Sequence, residues 1–159
     1  MKNISEVAKC SKAVKKELKN RFPNILFSVY SESFSMGDAV NVHAYIEKME
    51  DFITEDDIKQ YTNKYEYGHF DGMTDYYNAD NVREDIPQTK YLQVAIEYSP
   101  AIIEKIIKDF NKYWNGQFIA TTRTSESSYF KNRKVGIYES KECNTYYWIR
   151  EYINKHIKH

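Results

Sequence analysis

The chain has 159 residues, 42% of them hydrophobic and 29% charged, with a formal net charge of zero. That length buries a core without staples, and two cysteines, Cys10 and Cys143, are too few and too far apart for a zinc site or a disulfide framework. No apolar run approaches the ~18–20 residues of a membrane span, and residues 2–21 are lysine-rich and amphipathic rather than signal-like, so a cytoplasmic location is expected.

The first predicted element is a helix from Ser5 to Arg21. Ile4, Val7, Cys10, Val14, Leu18 and Phe22 recur at helical spacing and lysines fill the other face. Phe22-Pro23 ends it, because a residue before proline avoids the helical region. Two strands follow, Ile25 to Tyr30 and Val40 to Ile46, with turn residues Ser35 to Asp38 between them, which reads as a hairpin. The alternation puts His43 on the polar face of its strand, as a surface histidine.

Thr54 starts a second helix with Asp57 three residues on, and Ile53 and Ile58 form a staple pair. Glu55, Asp56 and Asp57 favour the positive end of its dipole, and Gly68 is expected to cap its far end near Tyr67-Gly68. The segment from Gly68 to Lys90 fits neither period. Tyr91 to Tyr98 is a strand, and Ser99-Pro100 opens a third helix with a cap and a first-turn proline. Ile102, Ile103, Ile106, Ile107, Phe110 and Trp114 form its apolar stripe, and Asn115-Gly116 closes it. Phe118 to Thr124 and Val135 to Tyr138 read as strands. A helix from Thr145 to Ile157 follows, with Tyr146, Ile149, Ile153 and Ile157 facing in. The order is αββα-loop-βα-ββα. It predicts an α+β fold, a mostly antiparallel sheet of about five strands with about four helices.

Connections as long as Gly68–Lys90 are uncommon in compact domains and often functional. Gly68 to Tyr77 gathers two glycines, two aspartates, a histidine and three aromatics. His69, Asp71, Asp75 and Asp80 form the one oxygen-rich cluster of note, of a kind that suits a hard cation. Its spacing matches no standard loop, so no metal, cofactor or catalytic residue is assigned. A self-capped turn explains part of it. Asp71 can accept from backbone amides, Gly72 can take a positive φ, and Phe70 and Met73 would plug the loop into the core. The binding residues expected are His69, Asp71, Asp75, Tyr76, Tyr77 and Asp80, with Asp75, Tyr76 and Tyr77 leading. Lys131, Arg133 and Lys134 form a basic cluster that suits phosphate or nucleic acid, or simply tips a solvated hairpin.

Charge is uneven. Residues 1–46 carry 7 basic and 4 acidic groups, residues 47–85 carry 4 and 12, and residues 86–159 carry 12 and 7. The acidic middle third contains the Gly68–Tyr77 stretch. The net charge of zero argues against whole-surface DNA mimicry, although residues 47–85 could imitate phosphates locally, and the 15 tyrosines suit a wet contact surface.

The motifs, in order, are Phe22-Pro23 with Phe27-Ser28-Val29, then Val40-Asn41-Val42, an acid-started helix, Phe70-Asp71-Gly72-Met73-Thr74-Asp75, the Tyr91–Tyr98 strand and Ser99-Pro100-Ala101. This pattern resembles a large polyvalent protein-associated domain family, found in long multidomain proteins of phages and conjugative elements and as short stand-alone proteins. The resemblance covers about residues 5–115 of a single 1–159 domain, with residues 116–159 as a C-terminal ββα extension. It implies a mobile-element accessory protein that helps incoming DNA survive host defences in the host-cell cytoplasm. The expected partner is a host defence protein such as a CRISPR effector, bound by a non-catalytic counter-defence inhibitor. The alternatives are a nucleic-acid-binding accessory module, using the first helix and the 131–134 cluster, and an enzyme or nucleotide-signal sponge with its site at residues 68–80.

Overall fold

A computed structural model describes residues 4–115, 117, 119–139 and 143–157, with side chains from Tyr147 onward in the last helix. The chain divides into two compact units, Met1–Ala44 with Glu55–Ala95 and Tyr45–Thr54 with Ile96–His159.

In the first unit, α1 runs from Glu6 to Arg21 and the Ser5 hydroxyl accepts the Ala8 amide at 3.3 Å. Val7, Cys10, Val14 and Leu18 are its buried stripe, as their spacing dictates. Burial pushes the Cys10 thiol up to about 12, helped by Asp38 and Glu6, so this cysteine behaves as a small core hydrophobe. The helix packs on β1 (Leu26–Phe34), which turns through Ser35-Met36 into β2 (Gly37–Ile46). With β5 (Tyr91–Tyr98) these make a three-stranded sheet in the order β1-β2-β5.

Because β2 is the central strand, every residue from Ala39 to Ile46 is buried. That corrects the reading of His43 as a surface residue. Its ring stacks on Tyr30 with centroids 5.6 Å apart, and Nε2 lies 3.4 Å from the Tyr30 hydroxyl. Helix α2 (Glu55–Thr62) starts on its acidic turn but stops short of the expected end at Tyr67-Gly68. A 3₁₀ turn, Asn63–Tyr65, replaces its last part. The backbone beyond is taken by Thr89, whose amide donates to Tyr65 O at 2.8 Å and whose carbonyl accepts Tyr67 N at 3.1 Å. Those bonds compete with continuation of the helix.

The second unit is built on α3 (Pro100–Tyr113), which packs on the antiparallel pair β6 (Thr121–Glu126) and β7 (Lys134–Glu139). Ile103, Ile107, Phe110, Ala120 and Ile149 form the buried cluster, with Tyr98, Trp114, Tyr138, Trp148, Tyr152 and Ile153 partly buried around it. Ser99 precedes α3 as expected but does not cap it with its side chain. Its hydroxyl donates to Glu47 O at 2.7 Å, while its amide donates to Ile46 O. Asn115 closes the helix at φ 50°. Helix α4 (Cys143–Tyr152) continues into a π-helical turn, Ile153–Ile157. Gly116, Phe118 and the side chains of Cys143 and Tyr146, all invoked above, lie outside what is described.

The class is α+β, with four α-helices among the described residues, as expected. The strands number seven among the described residues rather than about five, and they fall in three small sheets. The two unforeseen strands are β3 (His69–Asp71) and β4 (Tyr76–Asn78), inside the segment that fitted neither period.

Candidate functional site

Gly68 to Asn78 is a β-hairpin. Its strands pair antiparallel with His69 opposite Asn78, Phe70 opposite Tyr77 and Asp71 opposite Tyr76. Opposed residues share a face and neighbours alternate, so His69, Asp71, Tyr76 and Asn78 lie on one side and Phe70 and Tyr77 on the other. The tip is Gly72-Met73-Thr74-Asp75.

The tip caps itself, though not in the expected way. Asp71 Oδ1 accepts the Met73 amide at 2.9 Å. That bond, followed by one from Thr74, holds the Asp71 carboxyl below its usual range. The left-handed position falls on Asp75 at φ 55°, not on Gly72. Aspartate tolerates that region because its short side chain bonds locally. Nor do Phe70 and Met73 anchor the loop. Phe70 is 52% exposed and Met73 97% exposed, and Tyr76 is 66% exposed. A four-residue tip between three-residue strands carries its side chains away from the sheet rather than toward the core.

The hairpin is fastened at its base. Gly68 is not a helix cap; a Cβ there would stand 2.1 Å from Asn78 O and 2.9 Å from Ala79 Cα, so only glycine lets the strands close. Tyr77 is half-buried. Its hydroxyl donates to Lys90 O at 2.6 Å, and its ring meets Tyr67 and Tyr91 edge-on at 5.7 and 5.6 Å. Lys90 Nζ lies 5.0 Å from the Tyr77 ring centroid and 5.5 Å from that of Tyr91, and donates to Met36 O. Burial raises the Tyr77 phenol, with Glu66 the next cause. The Glu66 carboxylate is also raised by burial and accepts the Leu92 amide at 2.6 Å.

The rest of the long segment is stitched rather than loose. Asn81 donates to the carbonyls of Asn63 and Glu66. The buried Gln88 side chain accepts Arg83 N and donates to Lys64 O and Asn81 O. Asp38 Oδ1 accepts both the Thr89 hydroxyl and the Lys90 amide. These bonds pair backbone groups that an irregular connection has no ladder to satisfy.

Of the six binding residues expected, His69 and Asp80 come together, with Nδ1 3.0 Å from Oδ2 and both about half exposed. Asp71 is engaged with its own tip, Asp75 and Tyr76 face solvent, and Tyr77 turns inward. Among the described residues no three His, Cys, Asp or Glu side chains gather as metal ligands. Sequence reasoning missed Tyr67, Lys90 and Tyr91, which join Tyr77 under the hairpin. By sequence Tyr67 and Tyr91 read only as the ends of a helix and a strand and Lys90 as the end of the unassigned segment, and nothing local marks contacts 10 to 14 residues apart in the chain. Lys131, Arg133 and Lys134 tip the β6–β7 hairpin, with Asn132 at φ 62° between them. Arg133 Nη1 lies 3.4 Å from Glu47 Oε1, while Lys131 and Lys134 are exposed.

The family model of large polyvalent protein associated domain 29 matches residues 5–156, so the β6–β7–α4 region falls within it together with the preceding part. No curated protein and no solved structure matches the chain. Among the described residues, no helix is long and apolar enough to cross a membrane.

Proposed function

The chain belongs to that family of phage and mobile-element associated domains, and on this premise we propose that it is a non-catalytic counter-defence inhibitor that binds a host immune protein, such as a CRISPR effector, in the host cytoplasm. One observation carries the reading. The β3–β4 hairpin offers Phe70, Met73 and Tyr76 to solvent from a base pinned by Gly68, Tyr77 and Lys90. Exposed apolar anchors on a preorganised support bind at low ordering cost, and such side chains dominate protein interfaces. Asp71 and His69, the latter paired with Asp80, share the face of Tyr76 and set charge beside it, with Asp75 at the tip.

The test is phage challenge of host strains that each carry one defined defence system. Expression of the wild-type chain restores plaque formation against one system, and the chain co-purifies with that system's effector. Phe70→Ser with Met73→Ser and Tyr76→Ala loses both effects while its circular dichroism spectrum and melting are retained. Protection that survives the triple substitution removes the hairpin from the proposal. No protection across the panel, with no complex formed, removes the inhibitor reading itself.

A further inference from the structure

Strand β1 ends the three-stranded sheet, with no further strand beside it among the described residues. Such edges are usually blunted by lysine or proline. Of the nine residues Leu26–Phe34 only Glu32 is charged, and none is lysine or proline. The opposite edge is treated differently. At β5 the Leu92 amide is already taken by the Glu66 carboxylate.

The strand also reads nearly alike in both directions about Tyr30. Residues 26, 28, 30, 32 and 34 share one face, and on it Leu26, Tyr30 and Phe34 are each 42–44% exposed. If two β1 strands pair antiparallel about Tyr30, Leu26 meets Phe34, Ser28 meets Glu32 and Tyr30 meets Tyr30. Apolar groups oppose apolar groups, and the single charge of each strand opposes a hydroxyl that can donate to it. No like charges meet.

We infer that β1 is a self-association edge: a second copy of this chain adds its own β1 antiparallel, through a two-fold axis at Tyr30, into one continuous sheet. The backbone groups of the two edges supply the bonds, and the register follows from the side chains of the exposed face.

Sedimentation velocity on the full chain between about 1 and about 100 μM should show a concentration-dependent monomer–dimer equilibrium. Tyr30→Lys sets two ammonium groups against each other at the axis and should raise the dimer dissociation constant about tenfold or more. Tyr30 also stacks on His43, so a charge series at Ser28 separates pairing from folding. Ser28→Lys, facing Glu32 of the second copy, tightens the dimer by about threefold, and Ser28→Glu weakens it by about as much. Combining Ser28→Glu with Glu32→Lys restores an opposite-charge pair and should again bind more tightly than wild type. A wild-type chain that stays monomeric at about 100 μM overturns the inference. So do Ser28→Lys and Ser28→Glu if they shift the dimer in the same direction.

Discussion

At the scale of single residues, glycines that look alike in the sequence do unlike work. Gly68 stands where a Cβ would meet the Asn78 carbonyl and the Ala79 backbone, groups that cannot rotate away, whereas nothing lies within 4 Å of a Cβ at Gly72. Gly68→Ala should therefore cost about 1–3 kcal/mol through forced backbone movement, and Gly72→Ala should stay within about 0.5 kcal/mol of wild type. Urea denaturation of the pair decides it, and equal midpoints would contradict the close approach at Gly68. Asp71 adds a pH signature. Its carboxyl is held low by the Met73 amide and then by Thr74, so the carboxylate favours the folded tip. Such a contribution is complete above the ordinary aspartate range and is lost as pH falls through the depressed folded value. The Met73 amide resonance should move only at a pH below that of an unstructured aspartate, about 3.9. A shift centred at or above that value would mean the tip bond does not form in solution.

Elements with a strong period were legible, and those held by distant partners were not. Helices α1 and α3 bury the residues that their apolar spacing names, Val7 to Leu18 and Ile102 to Phe110. The β3–β4 hairpin escaped because three-residue strands are too short to show alternation, and its Asp71-Gly72 pair opens a four-residue tip instead of filling the two-residue loop that signals a hairpin. His43 was misplaced for a related reason. Alternation tells which side of a strand a residue faces, but not that β2 would be covered on both sides. The hairpin keeps its place through Tyr77, whose hydroxyl donates to Lys90 O. Tyr77→Phe removes that bond while leaving the ring under Lys90, at a cost of about 0.5–1.5 kcal/mol. Amide exchange across the β3–β4 hairpin should quicken by about tenfold, with exchange in α3 unchanged. An unaltered ladder would show that the aromatic packing alone holds the hairpin.

At the scale of the whole chain, charge was legible and its use was not. Residues 47–85 carry 12 acidic and 4 basic groups, a net of −8, yet the sequence could not say which acids are free to meet a partner. The structure divides them. Glu66 is half-buried against Leu92, Asp85 is paired with Arg83, and Asp71 and Asp75 stand at the exposed hairpin tip. If the tip meets a basic protein surface, its charges should act mainly on the rate of encounter. Asp71→Asn with Asp75→Asn tests this without deforming the tip. Asparagine at 71 still offers an oxygen to the Met73 amide, and asparagine at 75 tolerates the left-handed backbone. Against the identified effector, the double substitution should slow association several-fold at about 0.05 M salt and have little effect at about 0.5 M, where screening has already removed the attraction. Dissociation should be unaltered, because Phe70, Met73 and Tyr76 remain in place. Lys131→Ala with Lys134→Ala is the counterpart on the β6–β7 tip and should leave both rates alone. If that lysine pair governs the salt dependence instead, and the chain retains single-stranded DNA in the same salt range, recognition runs through phosphate and the β3–β4 tip is not the contact.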